Sequence, residues 1–196
     1  MKKKIGLFFG SFDPIHNGHI EIINNPYFYP FDQIWCIVTP ESPFKKGKVI
    51  ASFHDRLEMV KLSVSDNKKI LASDLECQLS PPYYTANTLV FLQAKYSHYS
   101  FQIIMGSDNY VSLVNGDWHK SEYILNNFPI IVYPRNQETI QPHTSLTILD
   151  CDVIETSSTS IRLSLLATSE LIKHLPLPPL VQEYIKTKKI YFPEYQ

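Results

Sequence analysis

The chain of 196 residues lacks any apolar run near the length of about 20 residues that a membrane-spanning helix needs. The basic start Lys2-Lys3-Lys4 is followed by an apolar stretch that ends at Phe9, and Asp13 interrupts the next segment. This pattern is too short for the apolar region of a signal peptide. The sequence therefore favours a cytoplasmic protein without a membrane partner.

Cysteine, net charge and clustered acidic residues are also scarce. The three cysteines, Cys36, Cys77 and Cys151, lie far apart and make no zinc or redox spacing, so we expect buried reduced thiols. The net charge of −1 gives no electrostatic basis for a nucleic-acid partner. No acidic cluster indicates a metal site built by the protein. A hydrophobic content of 44% predicts one domain, residues 1–196, with a substantial core.

Short apolar runs alternate with amphipathic segments along most of the chain. The candidate strands cover residues 4–9, 33–38, 70–73, 101–105, 129–133 and 145–149, with helical patterns at 17–24, 52–64 and 85–95. A last helix begins near Pro178-Pro179 and buries Leu180, Val181, Tyr184 and Ile185. We expect Ala86, Leu89, Val90 and Ala94 to share the buried face of helix 85–95. The alternation predicts an α/β fold, a Rossmann-like doubly wound parallel sheet with helices on both faces.

Two histidines stand directly after the first of these strands. Gly10-Ser11-Phe12-Asp13-Pro14 breaks the strand, and Ile15-His16-Asn17-Gly18-His19 opens the next helix. Unpaired N–H groups and the helix dipole favour anions at such a junction, and residues three apart share one helical face. Gly18 has no side chain, so a ligand could approach the backbone there. The pattern predicts a phosphate grip in which both imidazoles, with charge tunable near neutral pH, donate hydrogen bonds.

Two further polar segments follow candidate strands. Ser157, Ser158 and Thr159 can cap a helix, and Arg162 lies one turn further, where its forked donor can reach an anion bound at the helix start. An ordinary cap with a surface arginine is the alternative from these residues alone. Gly106-Ser107-Asp108 ends the fourth strand, where a glycine permits close approach and an acid suits a ribose hydroxyl. A simple turn is the alternative there.

Three segments carry weaker signals for a second ligand. Lys45, on the loop after the second strand, could meet a phosphate or be solvated. Tyr84-Thr85-Ala86 opens a helix with donors and an aromatic ring. Trp118 could belong to the core or stack on a planar heteroaromatic ring. These residues alone do not decide between the alternatives.

The histidine segment resembles the signature of the nucleotidyltransferase superfamily, and Ser-Ser-Thr-x-Ile-Arg at 157–162 resembles its C-terminal signature. Over nearly the whole chain, the motifs resemble the family of bacterial nicotinate-nucleotide adenylyltransferases. The further matches are Ser-Pro-x-Lys at 42–45, Arg-Leu-Glu-Met at 56–59, Tyr-Thr-Ala-Asn-Thr at 84–88, Gly-Ser-Asp at 106–108, Trp118, Arg135 and the stretch from Leu177 to Tyr191. The departures are Phe9 and Ser11 in the first motif, Phe44 where the family often has histidine, and His119 where tyrosine is common.

The resemblance implies adenylyl transfer from ATP to nicotinate mononucleotide, giving deamido-NAD and pyrophosphate, with Mg²⁺ carried by the ATP. It implies catalytic roles for His16, His19 and Arg162. In the family, the counterpart of Trp118 stacks on the pyridine ring, and amides near the counterparts of Thr85 and Trp118 hold the carboxylate. The resemblance implies ATP contacts from Gly10, Ser11, Phe12, His16, Gly18, His19, Gly106, Asp108, Ser157, Ser158, Thr159 and Arg162, and substrate contacts from Lys45, Tyr84, Thr85, Ala86, Trp118 and Arg135.

Three alternatives stay open at this point. Pantetheine-phosphate adenylyltransferases use the same scaffold but usually have threonine in place of the first histidine, a shorter chain and a different C-terminal signature. A nicotinamide-mononucleotide adenylyltransferase would act on the amide substrate. From another class, the chain could be a nucleotide-binding regulator without catalysis, against which the intact histidines and Arg162 argue. The sequence does not set the oligomeric state.

Overall fold

The computed structural model describes residues 2–41, 49–135, 140 and 142–192. Within these residues, the strands are β1 Lys3–Gly10, β2 Gln33–Val38, β3 Ile70–Ser73, β4 Tyr99–Gly106, β5 Ile130–Tyr133 and β6 Leu146–Ile148. The α-helices are α1 Asn17–Ile23, α2 Phe53–Val64, α3 Thr85–Lys95, α4 Ser107–Val114, α5 Ser121–Asn127, α6 Ser158–Ala167 and α7 Pro179–Lys188. Short 3-10 helices cover Pro26–Phe28, Leu75–Gln78 and Ser169–His174.

The strands form one parallel sheet in the order β3-β2-β1-β4-β5-β6. β1 lies in the middle, where Leu7 is paired with Trp35 of β2 and with Ile103 of β4. The order reverses between β1 and β4, and a crevice opens beyond the carboxyl ends of strands at such a reversal. The predicted Rossmann-like doubly wound fold is confirmed.

Helices cover both faces of the sheet, because alternate side chains of each strand point to opposite sides. Phe8 of β1 belongs to the apolar cluster that joins the sheet to α1, α2, α6 and α7. Its neighbour Leu7 belongs to the cluster that joins the sheet to α3, α4 and α5. The first cluster includes Ile22, Val60, Ile161 and Val181, and the second includes Leu89, Leu113 and Ile124.

Two predicted helix faces need correction. In α3 the buried positions include Ala86, Leu89 and Leu92, whereas Val90 and Ala94 are exposed. In α7 Val181 and Ile185 are buried as predicted and Tyr184 is half-buried, but Leu180 is exposed. The difference in α3 amounts to a rotation of about one residue, which the local apolar pattern does not resolve.

The cysteines are free thiols, and only one is fully buried. Cys36 of β2 lies in the core, Cys151 is half-buried, and Cys77 is exposed. The expectation of three buried thiols is therefore wrong for Cys77 and only partly right for Cys151. Across the described ranges, no helix combines the length and the apolar character needed to cross a membrane.

Candidate active site

A cavity of about 390 Å³ lies at the reversal of strand order. Its walls come from the end of β1 and the loop after it, from the end of β5, and from the start of α6. The lining residues are Phe8, Phe9, Gly10, Ser11, Phe12, Asp13, His16, His19, Val49, Asn109, Tyr133, Arg135, Ser157, Ser158, Thr159 and Arg162. The structure thus brings together the histidine segment, the 157–162 segment and Arg135, which lie far apart in the sequence.

The two glycines of the histidine segment make room for the protein's own side chains. A Cβ on Gly10 would lie 2.8 Å from the Phe12 ring, whose residue has a positive φ of 47°. A Cβ on Gly18 would lie 2.7 Å from Ile154 and 3.2 Å from Nδ1 of His16. The expectation that Gly18 opens the backbone to a ligand is corrected, because Ile154 and the His16 ring occupy that space.

The two imidazoles lie against each other, with ring centroids 3.7 Å apart and ring planes inclined by 31°. The backbone N–H of His16 donates to Nδ1 of His19 at 3.2 Å. A nitrogen that accepts a hydrogen bond carries no proton, so the neutral His19 ring carries its proton on Nε2. Nδ1 of His16 is buried and has no partner among the described residues, which favours the Nε2 proton there too. Both rings therefore can offer an Nε2–H donor.

Burial, helped by the charge of Arg135, lowers the pKa of His16 from 6.5 to about 3. His16 is only 3% exposed to solvent. His16 is therefore neutral at physiological pH in the folded protein. The expectation that its charge is tunable near neutral pH is corrected by this burial, which a linear pattern of residues does not reveal.

Arg162 reaches the cavity from the first turns of α6 and is held by residues 11–16, the loop between β1 and α1 that we call the histidine loop. Its Nη1 donates to the carbonyl oxygen of Asp13 at 2.7 Å and lies 3.6 Å from the Asp13 carboxylate. Its Nη2 donates to Oγ1 of Thr159 at 3.3 Å. The side chain is 15% exposed. The alternative of an ordinary surface arginine does not fit this placement.

The start of α6 forms the adjoining wall. Ser157 is the N-cap, and its hydroxyl oxygen accepts from the backbone N–H of Ser160 at 3.1 Å. The hydroxyl of Ser158 donates to the carbonyl oxygen of Pro14 at 2.9 Å and so joins the helix start to the histidine loop. The positive end of the helix dipole therefore faces the same cavity as Arg162.

Arg135, at the end of β5, is fixed by the segment that follows β4. Ser107 donates its hydroxyl to the carbonyl oxygen of Arg135 and accepts from the Arg135 N–H at 2.9 Å. The Arg135 guanidinium lies 3.4 Å from Asp108 Oδ2, while Asp108 Oδ1 is buried without a partner in the described structure. Asn109, not Asp108, lines the main cavity.

Gly106 and Trp118 line a smaller adjoining cavity of about 30 Å³. This space shares Phe8, Phe9, Asn109 and Tyr133 with the main cavity. A Cβ on Gly106 would lie 2.5 Å from Asp108 Oδ1, so this glycine makes room for the Asp108 side chain. Because Gly106 also lines this smaller cavity, the expected approach of a ligand to it stays a prediction.

The remaining predicted substrate residues lie outside the main cavity. Thr85 begins α3, and Tyr84 before it stacks on His119 with ring centroids 4.5 Å apart and planes inclined by 23°. Ala86 is 0% exposed, so its side chain is not available to a ligand, which corrects its prediction as a contact residue. Lys45 lies outside the described residues.

Two buried charged residues, Arg56 behind the cavity and Asp13 in its wall, were given no role by the sequence reasoning. Arg56 of α2 is 1% exposed and donates to the carbonyl oxygens of Ser11 at 2.7 Å, Thr39 at 2.8 Å and Pro40 at 2.8 Å. Asp13 accepts from the N–H groups of residues 50 and 51 at 2.9 and 3.0 Å. A charged residue inside the buried stripe of α2 was the available signal for Arg56. The described ranges contain no group of three or more His, Cys, Asp or Glu placed to hold a metal.

Comparison with known proteins finds relatives that match nearly the whole chain. A family model described as cytidylyltransferase-like matches residues 7–164. A Flavobacterium johnsoniae protein named probable nicotinate-nucleotide adenylyltransferase is 41% identical over 194 residues, covering 96% of this chain and 98% of the relative. A Flavobacterium psychrophilum protein of the same name is 42% identical over 194 residues, with the same coverage of both chains. A solved structure, Plasmodium falciparum nicotinic acid mononucleotide adenylyltransferase complexed with NaAD, shares the fold with a TM-score of 0.77 at 22% identity, covering 96% of this chain and 97% of that chain.

Proposed function

This chain belongs to the nicotinate-nucleotide adenylyltransferase family, and from that premise we propose that it transfers the adenylyl group of ATP to nicotinate mononucleotide. The products are deamido-NAD and pyrophosphate, in the biosynthesis of NAD. The observation that carries the proposal is the cavity that joins two histidines, two arginines and the start of α6 at the reversal of strand order. A cytoplasmic location is part of the same proposal.

The reaction needs no covalent enzyme intermediate, because the attacking group is already an anion. A phosphate oxygen of nicotinate mononucleotide attacks the α-phosphorus of ATP. The bond from that phosphorus to the oxygen that bridges the β-phosphate breaks, and its electron pair leaves with pyrophosphate. Catalysis then depends on alignment of the two phosphates and on donors aimed at the oxygens that gain charge.

The histidines supply such donors. We assign His16 to the α- and β-phosphates and His19 to the transferring phosphoryl group and the leaving oxygens. The hydrogen bond from the His16 backbone to Nδ1 of His19 supports this assignment, since it leaves the Nε2–H of His19 as its donor. A neutral His16 donates a hydrogen bond without placing a buried charge in the cavity.

The triphosphate end of ATP is assigned to α6. Arg162 and the backbone near Ser158 hold the β- and γ-phosphates, and Mg²⁺ enters with ATP as part of the substrate. The position of both residues in the cavity wall supports this assignment. Gly10, Ser11 and Phe12 line the same wall. Asp108 is assigned to the adenosine, and its contact with Arg135, which lines the cavity, supports a place beside that site.

The nicotinate side is assigned to the neighbouring cavity. Trp118 stacks on the pyridine ring, and amides near Thr85 and Trp118 receive the carboxylate. The shared walls of the two cavities support this assignment, because a dinucleotide product must extend from one site to the other. Arg135 lies in the main cavity, where its charge suits a phosphate. The predicted role of Lys45 stays a prediction.

A panel of nucleophiles tests the proposal. The protein is incubated with ATP and Mg²⁺ and with nicotinate mononucleotide, nicotinamide mononucleotide or phosphopantetheine, and pyrophosphate release is measured. We expect nicotinate mononucleotide to give the highest kcat/KM. Highest activity on phosphopantetheine would assign the chain to another adenylyltransferase, and binding of ATP without any product would support a nucleotide-binding regulator.

A further inference from the structure

We propose that Tyr191, beyond the end of α7, is a positioning residue for the adenylyl transfer, acting through Asp13 on Arg162. The inference rests on the proposed function. Tyr191 itself does not line the cavity. Its phenol hydroxyl donates to Oδ1 of Asp13 at 2.6 Å across 178 residues of chain.

The Asp13 carboxylate is the point where three segments meet the histidine loop. Oδ1 accepts from Tyr191 and from the N–H of Ala51 at 3.0 Å, and Oδ2 accepts from the N–H of Ile50 at 2.9 Å. Oδ2 also lies 3.6 Å from Nη1 of Arg162. Asp13 is 2% exposed, so water does not replace a donor that is lost. The direction of this carboxylate is therefore set by its protein donors.

Arg162 depends on the same residue through two groups. Its Nη1 donates to the carbonyl oxygen of Asp13 at 2.7 Å and faces the Asp13 carboxylate. Without the Tyr191 hydroxyl, Oδ1 keeps only the Ala51 N–H as a donor. The carboxylate can then turn toward Arg162 and draw the guanidinium away from the triphosphate. The hydrogen bond from Tyr191 thereby fixes the orientation of the Asp13 carboxylate and leaves the Arg162 guanidinium directed to the cavity.

The Tyr191 phenol is built to stay a donor. It is 1% exposed and has a positive φ of 67°. Burial, the charge of Asp13 and the hydrogen bond to Asp13 raise its pKa well above the ordinary value. A protonated hydroxyl in this place donates to a carboxylate over the whole working range of pH.

Tyr184 offers a matched control. It lies in α7 on the same C-terminal segment, and its hydroxyl also donates to an aspartate, Asp55 Oδ1, at 2.9 Å. Neither Tyr184 nor Asp55 lines the cavity. Tyr184→Phe and Tyr191→Phe therefore delete the same kind of hydrogen bond, and only the second touches the support of Arg162.

The experiment compares both variants with the wild type at a temperature where circular dichroism shows all of them folded. For Tyr191→Phe we expect the Kd of a non-hydrolysable ATP analogue and the KM for ATP to rise by about tenfold, while the KM for nicotinate mononucleotide changes by less than about twofold. Tyr184→Phe should leave all three values within about twofold. Equal effects of the two variants, or equal loss of both substrates, would overturn the proposal.

A double-mutant cycle tests the route through Arg162. In an Arg162→Lys background, Tyr191→Phe should weaken the binding of the ATP analogue by less than about twofold more, because the interaction that it supports is already lost. Additive effects would overturn the proposal. If Tyr191→Phe does not fold, Asp13→Asn takes its place in the same cycle with the same criteria. A wild type that forms no dinucleotide would refute the proposed function, whereas the analogue Kd still tests Tyr191.

Discussion

Acid should destabilise this protein through His16. Burial and Arg135 lower the pKa of His16 from 6.5 to about 3 in the folded protein. Between these two values the unfolded chain binds a proton that the folded protein does not. The free energy of unfolding therefore falls as the pH drops below about 6.5, and the His16 contribution is fully lost only below about pH 3.

The magnitude follows from proton linkage. One unit of pKa difference corresponds to about 1.4 kcal/mol. At pH 5 the unfolded histidine is almost fully protonated, whereas the folded His16 is still neutral. Acidification from pH 7 to pH 5 should therefore remove about 2 kcal/mol of stability through this one residue. Its near-complete burial means that solvent does not screen the effect appreciably.

Urea unfolding at pH 7, 6 and 5 measures this contribution. The free energy of unfolding of the wild type should fall by about 2 kcal/mol more than that of His16→Gln, which cannot titrate. The comparison uses the pH dependence within each protein, so any loss of packing in His16→Gln at pH 7 cancels. His54→Gln, at an exposed position of α2, is the control and should follow the wild type. Parallel curves for the wild type and His16→Gln would refute the reasoning.

Three further predictions concern the reaction. His19→Ala should lower kcat by about 10²–10³-fold, because one donor to the charged oxygens is lost; stopped assays with folded protein measure this, and full turnover would exclude the assigned role. Arg162→Lys keeps the charge but loses the fork, so calorimetric titration with an ATP analogue should show weaker binding, and weaker still in Arg162→Ala. Unchanged affinity in both would remove Arg162 from the ATP site. Competing the acid and amide substrates should show at least about 10²-fold higher kcat/KM for nicotinate mononucleotide, since a carboxamide NH₂ faces donors that a carboxylate satisfies. Trp118→Ala should raise the KM for that substrate more than for ATP, and equal kcat/KM for acid and amide would argue against the carboxylate pocket.

Local patterns predicted most of the sheet and several helices. β2, β3 and α3 have the bounds that their apolar patterns indicated. The missed helices, α4 and α5, have weak start signals. α4 begins directly at the end of β4 without a side-chain cap, and α5 follows Lys120, which has a positive φ of 57° and no capping hydrogen bond. α3 also starts without a capping side chain, but it has 11 residues of apolar pattern, whereas α4 has 8 and α5 has 7. In the two short helices, neither a cap nor a long pattern marks the element.

The candidate site was also predictable only in part from the sequence. Most of the residues that face the cavity belong to two contiguous motifs, so the sequence could predict His16, His19 and Arg162 as a set. Their support could not be read from it, because Asp13 reaches Tyr191 over 178 residues and Arg56 reaches Ser11 over 45. Partners this distant leave no periodic pattern. The low pKa of His16 likewise depends on packing that only the tertiary structure supplies.

The histidine loop is held in place by side chains of the protein itself. Arg56 binds the carbonyl oxygen of Ser11, Arg162 binds that of Asp13, and Ser158 binds that of Pro14. Side chains from α2 and α6 thus satisfy these backbone acceptors of the loop. Donors fixed in this way need no reorganisation when charge moves onto pyrophosphate, which is the condition for strong electrostatic stabilisation. The guanidinium groups of Arg56, behind the cavity, and Arg162, in its wall, therefore keep this polar loop in one geometry between the apolar layers of the fold.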